Sequence, residues 1–312
     1  MADDATHGPG RPATQYSRPG EGGPVLAEPA AGPIRSVNPP EKGRRFAGLG
    51  RLAPMTSSVF ETVTPDAFAY LDRVASTDPG RSCKLRMLDE LAVRAGETVL
   101  DLGCGPGTDL AALADAVTGT GRVIGVDHDR ASADAATDRT AGRGNVTVRL
   151  GDIHELPLPD NSADRARTDR VLQHVADPAR ALGEARRVLR PGGRLVMGEP
   201  DWGTLTVDHP DGGLSRACTR YVTDEAVRNA RIGSRLARLA ADAGFAVPAV
   251  VPVTPVFRDV RAADRILGLG RTARRAADAG YFTEEAVRRW LDHLVDGPFL
   301  AAVTLFIVVA EA

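Results

Sequence analysis

The chain has 312 residues, 43% hydrophobic and 26% charged, with a formal net charge of −2. That is enough apolar material for one large domain with additions. The balanced charge offers no electrostatic footprint for nucleic acid, and no apolar run approaches the length of a membrane span. Cys83, Cys104 and Cys218 lack C-x-x-C spacing, which fits a reducing cytoplasm rather than a disulfide framework or zinc site, so no metal is expected.

Residues 1–54 hold nine of the 22 prolines and few large apolar side chains. Such a segment cannot bury enough surface to offset its ordering entropy, and disorder is expected. It has no apolar core like that of a secretory signal, and Asp3 and Asp4 argue against a transit peptide. The alternative is a short arm, Phe46 to Met55, docked on the domain. Thr64-Pro65 suits a helix start, after which Phe68, Leu71 and Val74 share a face. A second helix is expected over about 81–95, offering Leu85, Leu88, Leu91 and Ala92.

Strands are then expected near 97–102, 122–127, 145–150, 164–169 and 194–199, with helices near 108–117, 130–141 and 178–189. This alternation implies a parallel sheet covered on both faces. The fourth strand departs from the nearly all-apolar pattern of a central parallel strand. Arg165, Arg167 and Asp169 alternate along it, so that face needs paired acids or a polar cavity. Beyond Glu199 come a loop, helices near 213–229 and 233–243, and a strand near 248–258. Residues 261–295 read as two helices, the second opening at Phe282-Thr283-Glu284-Glu285, and Ala301 to Val309 as a strong final strand.

The most informative stretch is Val99-Leu100-Asp101-Leu102-Gly103-Cys104-Gly105-Pro106-Gly107-Thr108-Asp109. Its order is strand, glycine turn, helix start, which brings backbone N–H groups close to a ligand. Asp127, at the tip of the next strand, can accept both hydroxyl hydrogens of a ribose. A dinucleotide fingerprint would need a third glycine where Thr108 stands, so a nicotinamide or flavin cofactor loses its main support.

Asp-x-Gly-x-Gly-x-Gly instead resembles motif I of the class I S-adenosylmethionine-dependent methyltransferases, and the resemblance continues in order. Leu150-Gly151-Asp152-Ile153 looks like the third-strand adenine contact. Residues 164–175 look like the family's fourth strand and the helix after it, and Val188-Leu189-Arg190-Pro191-Gly192-Gly193 looks like the turn into the fifth strand. The resemblance covers about 83–200 strongly and 231–312 more loosely. It implies a Rossmann-like, seven-stranded, mostly parallel α/β sheet with helices on both faces, N-terminal helices and a helical cap insertion. Beyond the tail at 1–54, the implied layout of 55–312 is N-terminal helices over 61–95, a cofactor-binding core over 96–200, a substrate and cap region over 201–298, and a final strand over 299–311.

The resemblance implies S-adenosylmethionine as cofactor. Gly103, Cys104, Gly105 and Gly107 would line its methionine half and Asp101 would face its ammonium. Asp127 would hold the ribose with His128 beside the adenine edge, and Asp152 and Ile153 would take the adenine. Asp169 and Arg170 lie where the family contacts the amino-acid moiety, although Arg170 also reads as an ion pair at the sheet edge. His174 and Glu199 are the candidate general bases, with helix capping the competing role for His174. Trp202 is either an aromatic substrate wall or a core residue under the cap.

The implied function is methylation of a small organic molecule on O, N or C, in bacterial specialised metabolism. The alternative is a cofactor-binding cyclase or rearrangement catalyst of the same fold. With only Lys42 and Lys84 against abundant arginine, the composition resembles that of GC-rich bacterial proteins. The roughly 35 residues inserted before the last strand are expected to be a cap over the substrate pocket, a helical pad or a homodimer surface.

Overall fold

The computed structural model describes residues 59–61 and 66–312. The expectations for residues 1–54, for the arm at Phe46 to Met55 and for the Thr64-Pro65 helix start lie outside the described residues. Helix α1 (Ala67–Ser76) begins after Asp66, whose carboxylate accepts from the amides of Phe68 and Ala69 at 3.0 and 3.1 Å. Helix α2 (Asp78–Leu91) sits earlier than expected. Thr77 supplies its N-cap and Ala92 ends it in the left-handed conformation.

Then come β1 (Thr98–Leu102), α3 (Leu110–Val117), β2 (Arg122–Asp127), α4 (Arg130–Arg139), β3 (Val146–Leu150), β4 (Ala163–Asp169), α5 (Pro178–Val188) and β5 (Leu189–Val207). Between β4 and α5, residues 172–174 form a turn rather than a helix. The second half comprises α6 (Gly212–Tyr221), a π-helical turn (Val222–Ala226), α7 (Ile232–Asp242), β6 (Ala246–Val253), β7 (Val256–Phe257), α8 (Val260–Leu267), α9 (Leu269–Asp278), α10 (Glu284–Asp296) and β8 (Ala301–Glu311). The sheet order is β3-β2-β1-β4-β5-β8-β6, and the two-residue β7 pairs with β8 as an eighth strand. Strands β1 to β5 run parallel, while β8 is antiparallel to β5, β6 and β7.

Alternate residues along each strand divide two cores, as the period of two requires. Leu100, Leu102, Ile124 and Val126 face α5 and α7, packing with Leu182, Ala185, Ile232 and Leu236. Val99 and Val123 face the other way, against Met87 and Leu91 of α2 and Leu113 and Val117 of α3. Because β1 and β4 pair Val99 with Arg165 and Asp101 with Arg167, the polar residues of β4 lie on the α2–α3 face.

Three expectations are corrected beyond residue 199. The segment after Glu199 is strand rather than loop: β5 runs on to Val207 and pairs Thr206 and Val207 with Ala302 and Ala301 across an irregularity. Its Leu205 and Val207 are buried against α6, α9 and α10 in a third core around the fully buried Trp290. The expected strand over 248–258 is split into β6 and β7. The stretch 261–295 holds three helices rather than two, because Gly268, at φ +62°, ends α8 and starts α9. These helices are tied to the chain ahead of α1. The buried Asp264 accepts from the amides of Glu61 and Gly270 at 2.7 and 2.8 Å, and Glu61 bridges Arg73 and Arg271 at 2.8 and 3.2 Å.

Candidate active site

The carboxyl ends of β1, β2 and β4 meet at the glycine loop. Gly103, Gly105 and Gly107 have φ of +73°, +53° and +76°, a region closed to most side chains. The three are not equivalent. A Cβ on Gly103 would lie 2.5 Å from Val171 Cγ2, and one on Gly107 would lie 2.9 Å from Ala136 Cβ. One on Gly105 would meet only Leu71 Cδ1, at 3.5 Å. The first and third glycines therefore serve packing, whereas Gly105 leaves open space above the loop. Cys104 is buried, and its Sγ lies 2.9 Å from where Gly125 would carry a Cβ.

Asp127 closes the loop from β2, accepting from Gly105 N at 2.8 Å and from Asp129 N at 2.9 Å, which leaves further lone pairs for a ligand. His128 beside it is exposed, its Nδ1 3.6 Å from Asp127 Oδ1. Beyond β3, one oxygen of Asp152 accepts from His154 N and pairs with His154 Nδ1, at 2.8 and 2.6 Å, holding the carboxyl below its ordinary pKa. The other oxygen has no hydrogen-bond partner among the described residues, and Ile153 packs against the core.

Beneath the loop lies the network that the odd fourth strand requires. The Arg167 guanidinium is 3.2 Å from Asp109, 3.2 Å from Asp169 and 3.6 Å from Asp101. Lys84 of α2 pairs with Asp109 and lies 3.4 Å from Asp169. Arg165 pairs with Glu97 at 3.0 Å. Asp109 stands at the N-cap of α3 but makes no capping bond, because its carboxylate is committed to Lys84 and Arg167. Burial pushes the Asp101 carboxyl up to about 6. Asp169 is desolvated too, but Arg170, Lys84 and Arg167 together hold it below the ordinary carboxylate range. Lys84, Asp109 and Arg167 were not expected as site residues. Their one signal in the sequence was charge alternating along a central strand.

On the far side of Leu71 is a cavity of 230 Å³. Tyr70, Leu71 and Val74 of α1 roof it, Cys83 of α2 closes one side, and Phe257, Ile266 and Leu267 close another. Its floor comes from the ends of β4 and β5: Arg170, Gln173, His174, Pro200 and Trp202. Tyr70 is fixed in the cavity wall by donating to Ile266 O at 3.1 Å. A larger, shallower hollow of 680 Å³ between residues 114–122 and 143–145 lies at the opposite, amino-terminal end of the strands, away from the edge where ligands bind in such sheets.

The structure separates the two candidate bases. His174 lines the cavity floor, its ring without a hydrogen-bond partner among the described residues, and desolvation draws its pKa below 6.5. Glu199 is 0% exposed and does not line the cavity. Its carboxyl group accepts from the amides of Val171, Leu172 and Gln173 at 2.7, 2.6 and 3.3 Å. The expectation of Glu199 as a base is therefore corrected: it is a positioning residue that anchors the turn carrying Gln173 and His174. Trp202 both lines the cavity and packs on the third core, its Nε1 donating to Gln173 Oε1 at 2.9 Å.

A family model described as a methyltransferase domain matches residues 94–244. A Streptomyces fradiae protein, an uncharacterised 37.1 kDa product of transposon TN4556, is 62% identical over 84% of this chain and 76% of its own length. A demethylmenaquinone methyltransferase of Staphylococcus aureus is 35% identical over 48% of this chain and 61% of that enzyme. The chain belongs to the class I S-adenosylmethionine-dependent methyltransferase family. A solved Bacillus halodurans protein assigned as a methyltransferase has the same fold, with TM-score 0.55 and 20% identity over 74% of this chain and 98% of that one. The [4+2]-cyclase SpnF also has it, with TM-score 0.51 and 21% identity over 78% and 92%.

The cofactor of this methyltransferase is S-adenosylmethionine, and the residues present fit it. The open loop at Gly105, the acceptor lone pairs of Asp127 and the second oxygen of Asp152 follow the order of methionine half, ribose and adenine. If the loop cradles the cofactor, Gly105→Val will abolish S-adenosylmethionine binding in calorimetry while the domain stays folded, since little protein occupies the space of the new side chain. Gly103→Val should instead unfold the chain through its clash with Val171. Equal affinity in folded Gly105→Val would reject the cradle.

Burial pushes the Glu199 pKa up to about 8, from 4.5. Between those values the folded chain holds a proton that the unfolded chain has released, so stability falls as pH rises through this window. Glu199→Gln should flatten the upper part of that profile. The contribution of Asp101 would remain below about 6, where its raised pKa lies. An unchanged melting-temperature profile between pH 6 and 8 would contradict the assignment.

Proposed function

We propose that this enzyme methylates a small, predominantly apolar organic molecule held in the cavity, within the specialised metabolism of a bacterial cytoplasm. The observation carrying this reading is Leu71, which touches the space above Gly105 and also lines the cavity. Cofactor loop and cavity therefore share a wall, as a direct displacement needs. The cofactor supplies a methyl group on a sulfonium, an electrophile that needs no further activation. The protein supplies alignment, worth roughly 7–11 kcal/mol in well-oriented systems, and exclusion of water by α1, α8 and the aromatic walls.

For a hydroxyl acceptor, S-adenosylmethionine held at the Gly105 loop would supply the methyl group, and the cavity walls would hold the acceptor oxygen in line with it. The hydroxyl proton passes to His174, which its lowered pKa keeps neutral near pH 7. We assign Gly103, Cys104, Gly105, Gly107, Asp101 and Asp169 to the methionine end, and Asp127, His128, Asp152 and Ile153 to the nucleoside. Release of S-adenosylhomocysteine with one methylated product per turnover tests the reading. Cofactor binding without that release would favour a rearrangement catalyst instead.

His174→Ala should lower turnover by roughly 10²–10⁴-fold and leave cofactor affinity intact. The wild-type rate should fall as pH drops below the imidazole pKa, on the acid side of 6.5, and the variant should lose that limb. Near-normal turnover in His174→Ala would leave alignment, without a base, as the source of catalysis.

A further inference from the structure

Arg170 is the cation of this site whose setting a cofactor role leaves unexplained. It is a non-glycine residue at φ +59°, a conformation that costs free energy and persists where its surroundings enforce it. Its amide donates to Gly198 O at 2.8 Å, which fixes the turn. The guanidinium is then delivered into the wall of the apolar cavity, with one nitrogen, Nη1, on Asp169 at 3.1 Å. Nη2 and Nε have no protein partner among the described residues.

Its one carboxylate partner is not its own, although Lys84 and Arg167 also pair with Asp109, and Arg167 with Asp101. Asp169 is shared by three cations, with Lys84 at 3.4 Å and Arg167 at 3.2 Å. The titratable groups facing Arg170 from α1 and α2 are Tyr70 and Cys83, and burial pushes both pKa values up, that of Cys83 to about 11, so neither supplies a negative charge near pH 7. Burial likewise pushes Glu199 up to about 8. Apart from His174, the other polar side chains of the lining are spent: Gln173 Oε1 accepts from Trp202 and its Nε2 donates to Arg170 O at 3.3 Å, while the Thr77 hydroxyl donates to Val74 O at 2.8 Å. The cavity thus offers an incoming molecule apolar walls, the His174 ring and the free edge of one guanidinium.

We propose that the cavity selects small apolar molecules bearing an anionic oxygen, a carboxylate, enolate or phenolate, and that Arg170 is the substrate anchor rather than a cofactor contact. This rests on the cavity being the acceptor site. A planar guanidinium with a free edge matches such an oxygen, and the apolar walls strengthen the charge-assisted bond. The anchored oxygen would lie on the same floor as His174, which orients the molecule before methyl transfer.

The test uses the full chain saturated with S-adenosylhomocysteine, titrated calorimetrically with 2-naphthoate and its neutral isostere 2-naphthamide. Wild type should bind the carboxylate at least roughly tenfold more tightly. Arg170→Gly, which suits the left-handed backbone and so retains the fold, should bind the two equally. Arg170→Lys should restore part of the preference. S-adenosylhomocysteine affinity should be the same in all three proteins. Equal binding of the probes by wild type, a preference surviving in Arg170→Gly, or no binding of either probe at millimolar concentration would each overturn the proposal. Weakened S-adenosylhomocysteine binding in Arg170→Gly would also overturn it, returning Arg170 to the cofactor. Because no turnover is read, the anion preference can be observed even if methyl transfer is not, which separates this failure from that of the proposed function.

Discussion

The site is organised around one buried cation in the middle of a parallel sheet. Arg167 joins Asp101 on β1, Asp109 at the head of α3 and Asp169 at the end of β4. A charge on a central strand is costly unless it is paired, and here the pairing fixes three elements against one another at the ligand edge. Lys84 extends the network to α2 and Arg170 extends it to the cavity floor. The geometry of the cofactor loop thus depends on the ion pairs of Arg167 and Lys84 on the α2–α3 face, with Arg170 at their margin facing the cavity.

A second set of constraints shapes the cavity. Glu199 gathers three consecutive amides, and the turn they belong to presents Gln173 and His174. Overhead, Asp264 and Glu61 bind the chain ahead of α1 to α8 and α9, while Tyr70 reaches Ile266 O. Buried carboxyl groups are thus used on both sides of the cavity as acceptors for backbone amides that would otherwise lie unpaired. The extension of β5 and the start of β8 form a ribbon carrying the third core, and with it the helices at the cavity's edge.

The central alternation was legible because each strand and helix follows its own period. Leu110, Leu113, Ala114 and Val117 mark one face of α3, and Val123 to Val126 fill a strand buried on both sides. The glycine loop was legible because three closely spaced glycines can be explained by backbone constraint. The region after 199 was less so. The extension of β5 is recognisable only through its partner β8, a hundred residues away, and the break at Gly268 lies inside a continuous apolar periodicity. Glu199 was misread because its place at a strand's carboxyl end favours a ligand contact, whereas its burial depends on the fold of the turn at 171–174. The polar face of β4 was visible as an anomaly, but its partners Lys84 and Asp109 come from helices whose approach no local pattern encodes.

The claim that Arg167 holds the ligand edge together is tested most directly by equilibrium unfolding of Arg167→Met, with S-adenosylmethionine affinity measured on the folded fraction. Removing the shared cation leaves Asp101, Asp109 and Asp169 crowded with only Lys84 and Arg170 to balance them. The expected loss is about 3–5 kcal/mol, the usual scale for breaking a buried ion pair from one side, together with weakened cofactor binding. A variant within about 0.5 kcal/mol of wild type, binding the cofactor equally well, would contradict the claim.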